Sequence, residues 1–185
     1  FYLGGIESPN GRITTLATQS DGKIIVGGTF TRFEGRTQNR ILRLNSNGTI
    51  DNTFNIGTGF NEEVHHVVVQ PDGKILVGGS FSQYQGNYVR SLVRLNSNGS
   101  LDNSFSAVSY SYGNTFLLQP DGKIITGGQN RDFYRLNSDG SIDNTFSSFR
   151  GGNAIKMLRQ PDGKIITVDQ TAIKRFNANG THDDT

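Results

Sequence analysis

Side chains able to do chemistry are few in this chain, and most of them belong to a pattern. His65 and His66 are adjacent, so on a strand they point to opposite faces and cannot easily share a ligand, while His182 has no other histidine near it in sequence. There is no cysteine, which removes thiolate nucleophiles, thiolate metal sites and disulfides together. The carboxylates are mostly fixed in a repeat, at Asp51, Asp102 and Asp143 and in Asp-Gly pairs. A residue present in every copy serves the scaffold, whereas an active site is usually made once. No once-only pair of carboxylates suggests glycoside hydrolysis. The loops Asn45–Asp51 and Asn137–Asp143 are rich in oxygen but lack the bidentate Glu that closes a calcium loop, so their side chains are expected to bond turn backbone instead. The expectation is no catalytic residue, no metal and no cofactor.

Arg43, Arg94, Arg135 and Arg175 occupy one equivalent position in each of four copies. Turned toward a common axis, they would make a positive ring suited to an anion or an acidic glycan. The favoured arrangement pairs each with the Asp of its own hairpin, a bond that stabilises by only ~0–1 kcal/mol if exposed.

The elements that must carry these residues are read from the repeat. Asp21-Gly22-Lys23 returns as Asp72-Gly73-Lys74, Asp121-Gly122-Lys123 and Asp162-Gly163-Lys164, followed each time by Ile-Ile or Ile-Leu. Arg43-Leu44-Asn45 returns three times with a Gly three residues beyond the Asn, and Asp51-Asn52-Thr53-Phe54 returns as Asp102-Asn103-Ser104-Phe105 and Asp143-Asn144-Thr145-Phe146. Gly supplies 24 of 185 residues, well above the usual ~7%, and twelve Phe and six Tyr accompany it, a composition of turns and strands.

Within the first copy, strands are expected over 12–19, 23–30, 40–45 and 49–54. Asp21-Gly22 makes the first tight turn, Asn47-Gly48 the last, and Gly27-Gly28 permits close packing or a bulge. Four short strands in ~40–50 residues is the unit of a β-propeller blade. The fold expected is all-β, a β-propeller of four consecutive four-stranded blades, closed by themselves or part of a larger ring. One domain spans residues 1–185, with blades at about 1–53, 54–104, 105–145 and 146–185. Phe54, Phe105 and Phe146 are expected between blades, each contributing ~1.5–3 kcal/mol by burial.

The string Gln70-Pro71-Asp72-Gly73-Lys74-Ile75-Leu76-Val77-Gly78-Gly79-Ser80-Phe81, continued by Val93-Arg94-Leu95-Asn96-Ser97-Asn98-Gly99-Ser100-Leu101-Asp102-Asn103-Ser104-Phe105, resembles the delta-60 repeat of bacterial β-propeller proteins. The resemblance covers essentially the whole chain. It implies a propeller from a large secreted or surface-associated bacterial protein, in a family with no established catalytic activity.

Two copies depart from the pattern. Residues 29–39 and 80–91 form long connections, where the third and fourth copies have only 129–132 and 169–172. Recognition usually resides in loops on a rigid scaffold, and these two carry Phe33, Arg36, Tyr84 and Tyr88 as candidate contacts to a protein or glycan surface. Phe30 and Phe81 end a strand and are expected to be buried; Tyr110 and Tyr112 are further surface candidates.

A formal charge of +2, with basic residues spread evenly, argues against a nucleic-acid partner. No run approaches the ~20 apolar residues of a membrane helix, so no membrane insertion is expected. The absence of an initiator Met suggests that the natural N-terminus lies elsewhere, and a closed ring would set Phe1 beside 183–185. The leading expectation is a non-enzymatic interaction or structural module, extracellular or at the cell surface, accompanied by further repeats or a neighbouring copy. Alternatives are a virion or phage tail-fibre component, and a carbohydrate-active enzyme on a degenerate propeller.

Overall fold

The structure, a computed structural model, describes residues 9–107, 112–127, 132–150, 154 and 156–184. The chain forms two compact units, Phe1–Asn103 and Ser104–Thr185. Among the described residues every regular element is a strand, as the composition and turn spacing imply.

In the first unit the strands are β1 (Ile13–Thr18), β2 (Ile24–Gly28), β3 (Arg32–Phe33), β4 (Arg36–Thr37), β5 (Ile41–Leu44), β6 (Val64–Val69), β7 (Ile75–Gly79), β8 (Gln83–Tyr84), β9 (Asn87–Tyr88) and β10 (Leu92–Leu95). They make two three-stranded antiparallel sheets, β1-β2-β5 and β10-β7-β6, and two separate hairpins, β3-β4 and β8-β9. In the second unit β11 (Tyr112–Leu118), β12 (Ile124–Gly127), β13 (Asp132–Leu136) and β14 (Phe149–Arg150) form one sheet, and β15 (Lys156–Arg159), β16 (Ile165–Val168) and β17 (Ile173–Phe176) another.

The first three expected strands of a copy are found, but the fourth is not. Residues 49–54 touch the sheet only at an isolated bridge, Leu44 to Ile50, and the later copies do the same at Leu101, Ile142 and His182. Asp51 stops the strand: its Oδ1 accepts from the Thr53 amide at 2.9 Å and the Thr53 hydroxyl at 2.6 Å, folding the chain into an Asx-type turn. The Phe54 amide then donates to the Asp51 carbonyl at 3.2 Å, and the chain leaves for the next repeat.

That exit explains the Gly three residues after each Asn. The Asn55 amide donates to the Asn98 carbonyl at 2.9 Å, and Ser147 does the same to Asn179 at 2.8 Å. Gly99 and Gly180 sit under these crossings at φ of 91° and 90°, and a Cβ there would lie 2.8 Å and 2.0 Å from the carbonyl oxygens of Asn55 and Ser147. Positive φ and close backbone approach both demand glycine.

Apolar packing joins the sheets within each unit. In the first, Ile25 and Ile41 share a core with Phe54, Phe60, Val64, Val67, Ile75 and Tyr84. In the second, Ile125 and Phe133 share one with Phe146, Met157, Ile165 and Phe176. Phe54 and Phe146 thus lie between successive repeats, as expected. Gly27-Gly28 serves both purposes read from sequence: the register shifts opposite it between Ile13 and Thr15, and the bare Gly27 receives Val64.

Candidate functional site

The two long connections are β-hairpins, each tipped by a two-residue turn. Glu34 and Gly35 have φ of 49° and 71°, and Gln85 and Gly86 have 51° and 77°. Positive φ at both central residues is the turn geometry that matches strand twist in a tight hairpin. At its base each hairpin is held by an asparagine from the segment entering the repeat. Asn10 Oδ1 accepts from the amides of Thr31 and Arg32, both at 2.8 Å, and Asn61 Oδ1 accepts from those of Ser82 at 3.0 Å and Gln83 at 2.8 Å. The same side chains donate through Nδ2 to the hydroxyls of Thr31 and Ser82. The shorter fourth connection is a turn around Asp169, whose Oδ1 accepts from Thr171 and Ala172 amides at 2.8 Å. The Thr171 amide bond leads in holding that carboxyl below its ordinary range.

Two of the four aromatic and arginine candidates in these hairpins are not on the surface. Phe33 is 4% exposed and packs with Phe30, Leu42 and Leu44; Tyr84 is 0% exposed. The rings of Phe81 and Tyr84 lie 4.2 Å and 4.4 Å from that of Phe60, and the Tyr84 hydroxyl donates to the Gly99 carbonyl at 2.6 Å. Burial pushes the Tyr84 phenol far above its usual range. Both residues fold the hairpin back onto its blade. Phe30 and Phe81 are buried as expected.

Outward, the hairpins present Arg32, Arg36 and Thr37 on one and Gln83, Asn87 and Tyr88 on the other, with Arg90 just beyond. Arg32 faces Thr37 and Gln83 faces Tyr88 across the strand pairs. Tyr88 is 86% exposed, and Arg36 is exposed with Nη1 donating to Asn52 Oδ1 at 3.1 Å. Guanidinium, amide and phenol groups on a pinned backbone suit hydroxyl-rich or carboxylate-bearing surfaces. Tyr110, Phe1, Thr185 and the Tyr112 side chain lie outside the described residues.

The repeated arginines are each paired locally, the arrangement favoured from sequence. Each guanidinium Nε donates to the Asp of its own hairpin: Arg43 to Asp51 at 2.8 Å, Arg94 to Asp102 at 2.6 Å, Arg135 to Asp143 at 2.7 Å, and Arg175 to Asp183. Three of the pairs are not the exposed kind, the Arg43, Arg94 and Arg135 side chains being 7%, 9% and 13% exposed, whereas that of Arg175 is 38% exposed. The lysine of each Asp-Gly-Lys turn, missed from sequence, completes the group: Lys23, Lys74, Lys123 and Lys164 reach the same Asp Oδ2 at 3.0, 2.9, 2.7 and 2.9 Å. Its identity in all four copies was the available signal. Arg43 Nη1 also donates to the Ser97 carbonyl at 2.6 Å, and Arg135 Nη1 to that of Ala178 at 3.2 Å, so these arginines clamp one repeat to the next. Their guanidinium carbons lie 4.8 Å and 4.7 Å from the ring centres of Phe54 and Phe146.

Opposing effects set the charge of these carboxylates. Burial alone would raise the pKa of Asp51, but hydrogen bonds from Thr53 and Lys23, with the Arg43 charge, hold it well below the carboxylate range. For Asp143 the Lys123 bond leads, followed by that of Thr145, and the result is the same. The Asn-Gly turns are closed by Asx bonds, as expected, with Asn47 Oδ1 accepting from the Thr49 amide at 3.1 Å and Asp139 Oδ1 from Ser141 at 2.9 Å. His65 Nε2 lies 2.8 Å from Ser80 Oγ and His182 Nδ1 lies 2.8 Å from Asp184 Oδ1. Among the described residues no three His, Cys, Asp or Glu gather as a metal site, and no helix is long and apolar enough to cross a membrane.

Solved structures share this fold at low identity. A Bacteroides caccae protein of unknown function is 12% identical with a TM-score of 0.62, covering 96% of this chain and 61% of its own. Streptogramin B lyase is 16% identical with a TM-score of 0.63, covering 95% and 55%. The extracellular domain of a candidate hybrid two-component system from Bacteroides thetaiotaomicron is 14% identical with a TM-score of 0.61, covering 94% and 21%. The chain therefore spans about three-fifths or less of these three proteins. No curated protein matches it. The sequence profile of a β-propeller domain of unknown function, DUF5122, matches residues 19–54, 70–105 and 119–146, three successive stretches running from the Asp-Gly turn to the Asp-Asn-x-Phe segment or its phenylalanine. With its all-β sheets and repeat-to-repeat clamps, the chain belongs to this β-propeller family.

Proposed function

We propose that this chain is a non-enzymatic interaction module of the delta-60 propeller type, part of a larger secreted or surface-exposed protein, that binds a protein or glycan surface through its two hairpins. The observation that carries the reading is their construction. Phe33 and Tyr84 bury the inner side of each hairpin and Asn10 and Asn61 fix its base, which leaves a rigid outer row of Arg32, Arg36, Gln83, Asn87 and Tyr88. A rigid polar and aromatic row loses little conformational entropy on binding. The extracellular domain among the similar folds supports an exterior location.

The test is binding of the labelled chain to immobilised glycans and purified extracellular proteins, compared with Tyr88→Ala and Arg36→Ala variants. Both side chains are exposed, so the melting temperature should hold while binding weakens at least about tenfold. Unchanged binding by the double variant to every ligand that the wild type captures would remove the hairpins as the site.

A further inference from the structure

The interface between successive repeats has two halves, and each unit shows both together. On the giving side, β2 and β5 present Ile25, Gly27 and Ile41; on the receiving side, β6 lays Val64 and Val67 against them. A Cβ on Gly27 would stand 2.6 Å from Val64 Cγ1 and 3.3 Å from Val67 Cγ2. In the second unit Ile125 and Phe133 give, and Met157 receives, with Ala154 packed beside it. Ile25, Ile41, Val64, Ile125 and Phe133 are each 2% exposed or less.

Each unit also carries one half whose apolar residues are exposed. Counted from Asp-Gly-Lys, Ile13 and Leu16 stand where Val64 and Val67 stand, yet they are 47% and 62% exposed. Across the strand pairs Ile173 faces Val168 as Ile41 faces Gly27 and Phe133 faces Gly127, yet Ile173 is 75% exposed. These are continuations of an interface that the chain builds within itself, so the chemistry that covers them is that of another blade.

We propose that both open faces are docking sites for a further blade of this same repeat, and that Val168 decides which blade the second unit accepts. Val168 occupies the position of Gly27 and Gly127. Glycine there makes room for a branched side chain such as Val64 from the receiving blade. A valine already fills that room, so the blade received must carry Gly or Ala opposite, as the fourth repeat does with Ala154. This chain's own first repeat offers Ile13 instead, which overfills the contact. The partner is therefore a blade with a small residue at that position, and copies of this chain do not serve one another head to tail. The inference is independent of the hairpin surface.

Sedimentation velocity of the 185-residue chain from micromolar to sub-millimolar concentration tests it. The wild type should sediment as a monomer. Ile13→Ala, a change at an exposed site that leaves the fold intact, should create concentration-dependent association at least about tenfold tighter than any shown by the wild type. Adding Leu16→Lys to that variant should abolish it by placing a charge in the apolar contact. Wild-type association as tight as that of Ile13→Ala would overturn the selective role of Val168. An Ile13→Ala chain that stays monomeric throughout would overturn the docking of a blade on these faces.

Discussion

A carboxylate that accepts from two cations on one oxygen and from a hydroxyl and an amide on the other has nowhere left to turn. Asp51 and Asp143 are built this way, each with a lysine, an arginine and a threonine converging on it. Asp51→Asn keeps the shape but leaves a buried guanidinium without its counter-charge, and should cost roughly 3 kcal/mol, measured by urea unfolding. A loss below about 0.5 kcal/mol would mean that the pair behaves as a surface bridge after all. The Arg–Asp pairing was legible because both residues recur at fixed spacing within one hairpin. Its burial was not, because the arginine's second contact, the Ser97 carbonyl, belongs to a backbone atom of another repeat, and sequence spacing carries no trace of it.

Hairpins of two-residue strands hold few ladder bonds of their own, so β3-β4 and β8-β9 depend on what anchors them. Asn61→Ala removes three hydrogen bonds at the base of β8-β9 and should destabilise that element by about 1–2 kcal/mol. Hydrogen exchange at the Val89 amide, which donates to the Ser82 carbonyl at 3.0 Å, should then speed up while the Val77 amide in β7 stays protected. Equal acceleration at both would show that the asparagine serves the whole blade and not the hairpin. The propeller repeat and three of its four strands could be read from turn residues and alternation. The fourth could not, because Asp51 satisfies the following backbone locally and withdraws it from the ladder. Phe33 and Tyr84 looked like surface residues because they sit in insertions. Yet both directly precede an X-Gly pair at matching positions of two copies, and a residue held in matching places serves the blade.

Across the molecule a carboxylate held by both an arginine and a lysine recurs in all four repeats, so the response to acid should be collective. Asp51 and Asp143 ionise more readily folded than the ~3.9 of an unfolded aspartate, so the unfolded chain takes up protons first as pH falls. Their contribution is fully present above about pH 5 and is lost as pH drops through about 4 toward their lower folded values. The calorimetric melting temperature should therefore be level from neutrality to about pH 5 and fall steeply below about pH 4, less steeply in Asp51→Asn. A level profile down to about pH 2 would count against the clamps. The clamp also imposes an order in time. The guanidinium of Arg43 reaches a carbonyl 54 residues downstream, and that of Arg135 one 43 residues downstream. On a ribosome adding ~5–20 residues per second, the first blade waits about 3–11 s for its last partner to be synthesised. Until then it holds a cation and a carboxylate together with one side still open, so within each unit assembly runs in the direction of synthesis, the earlier blade finished by the later.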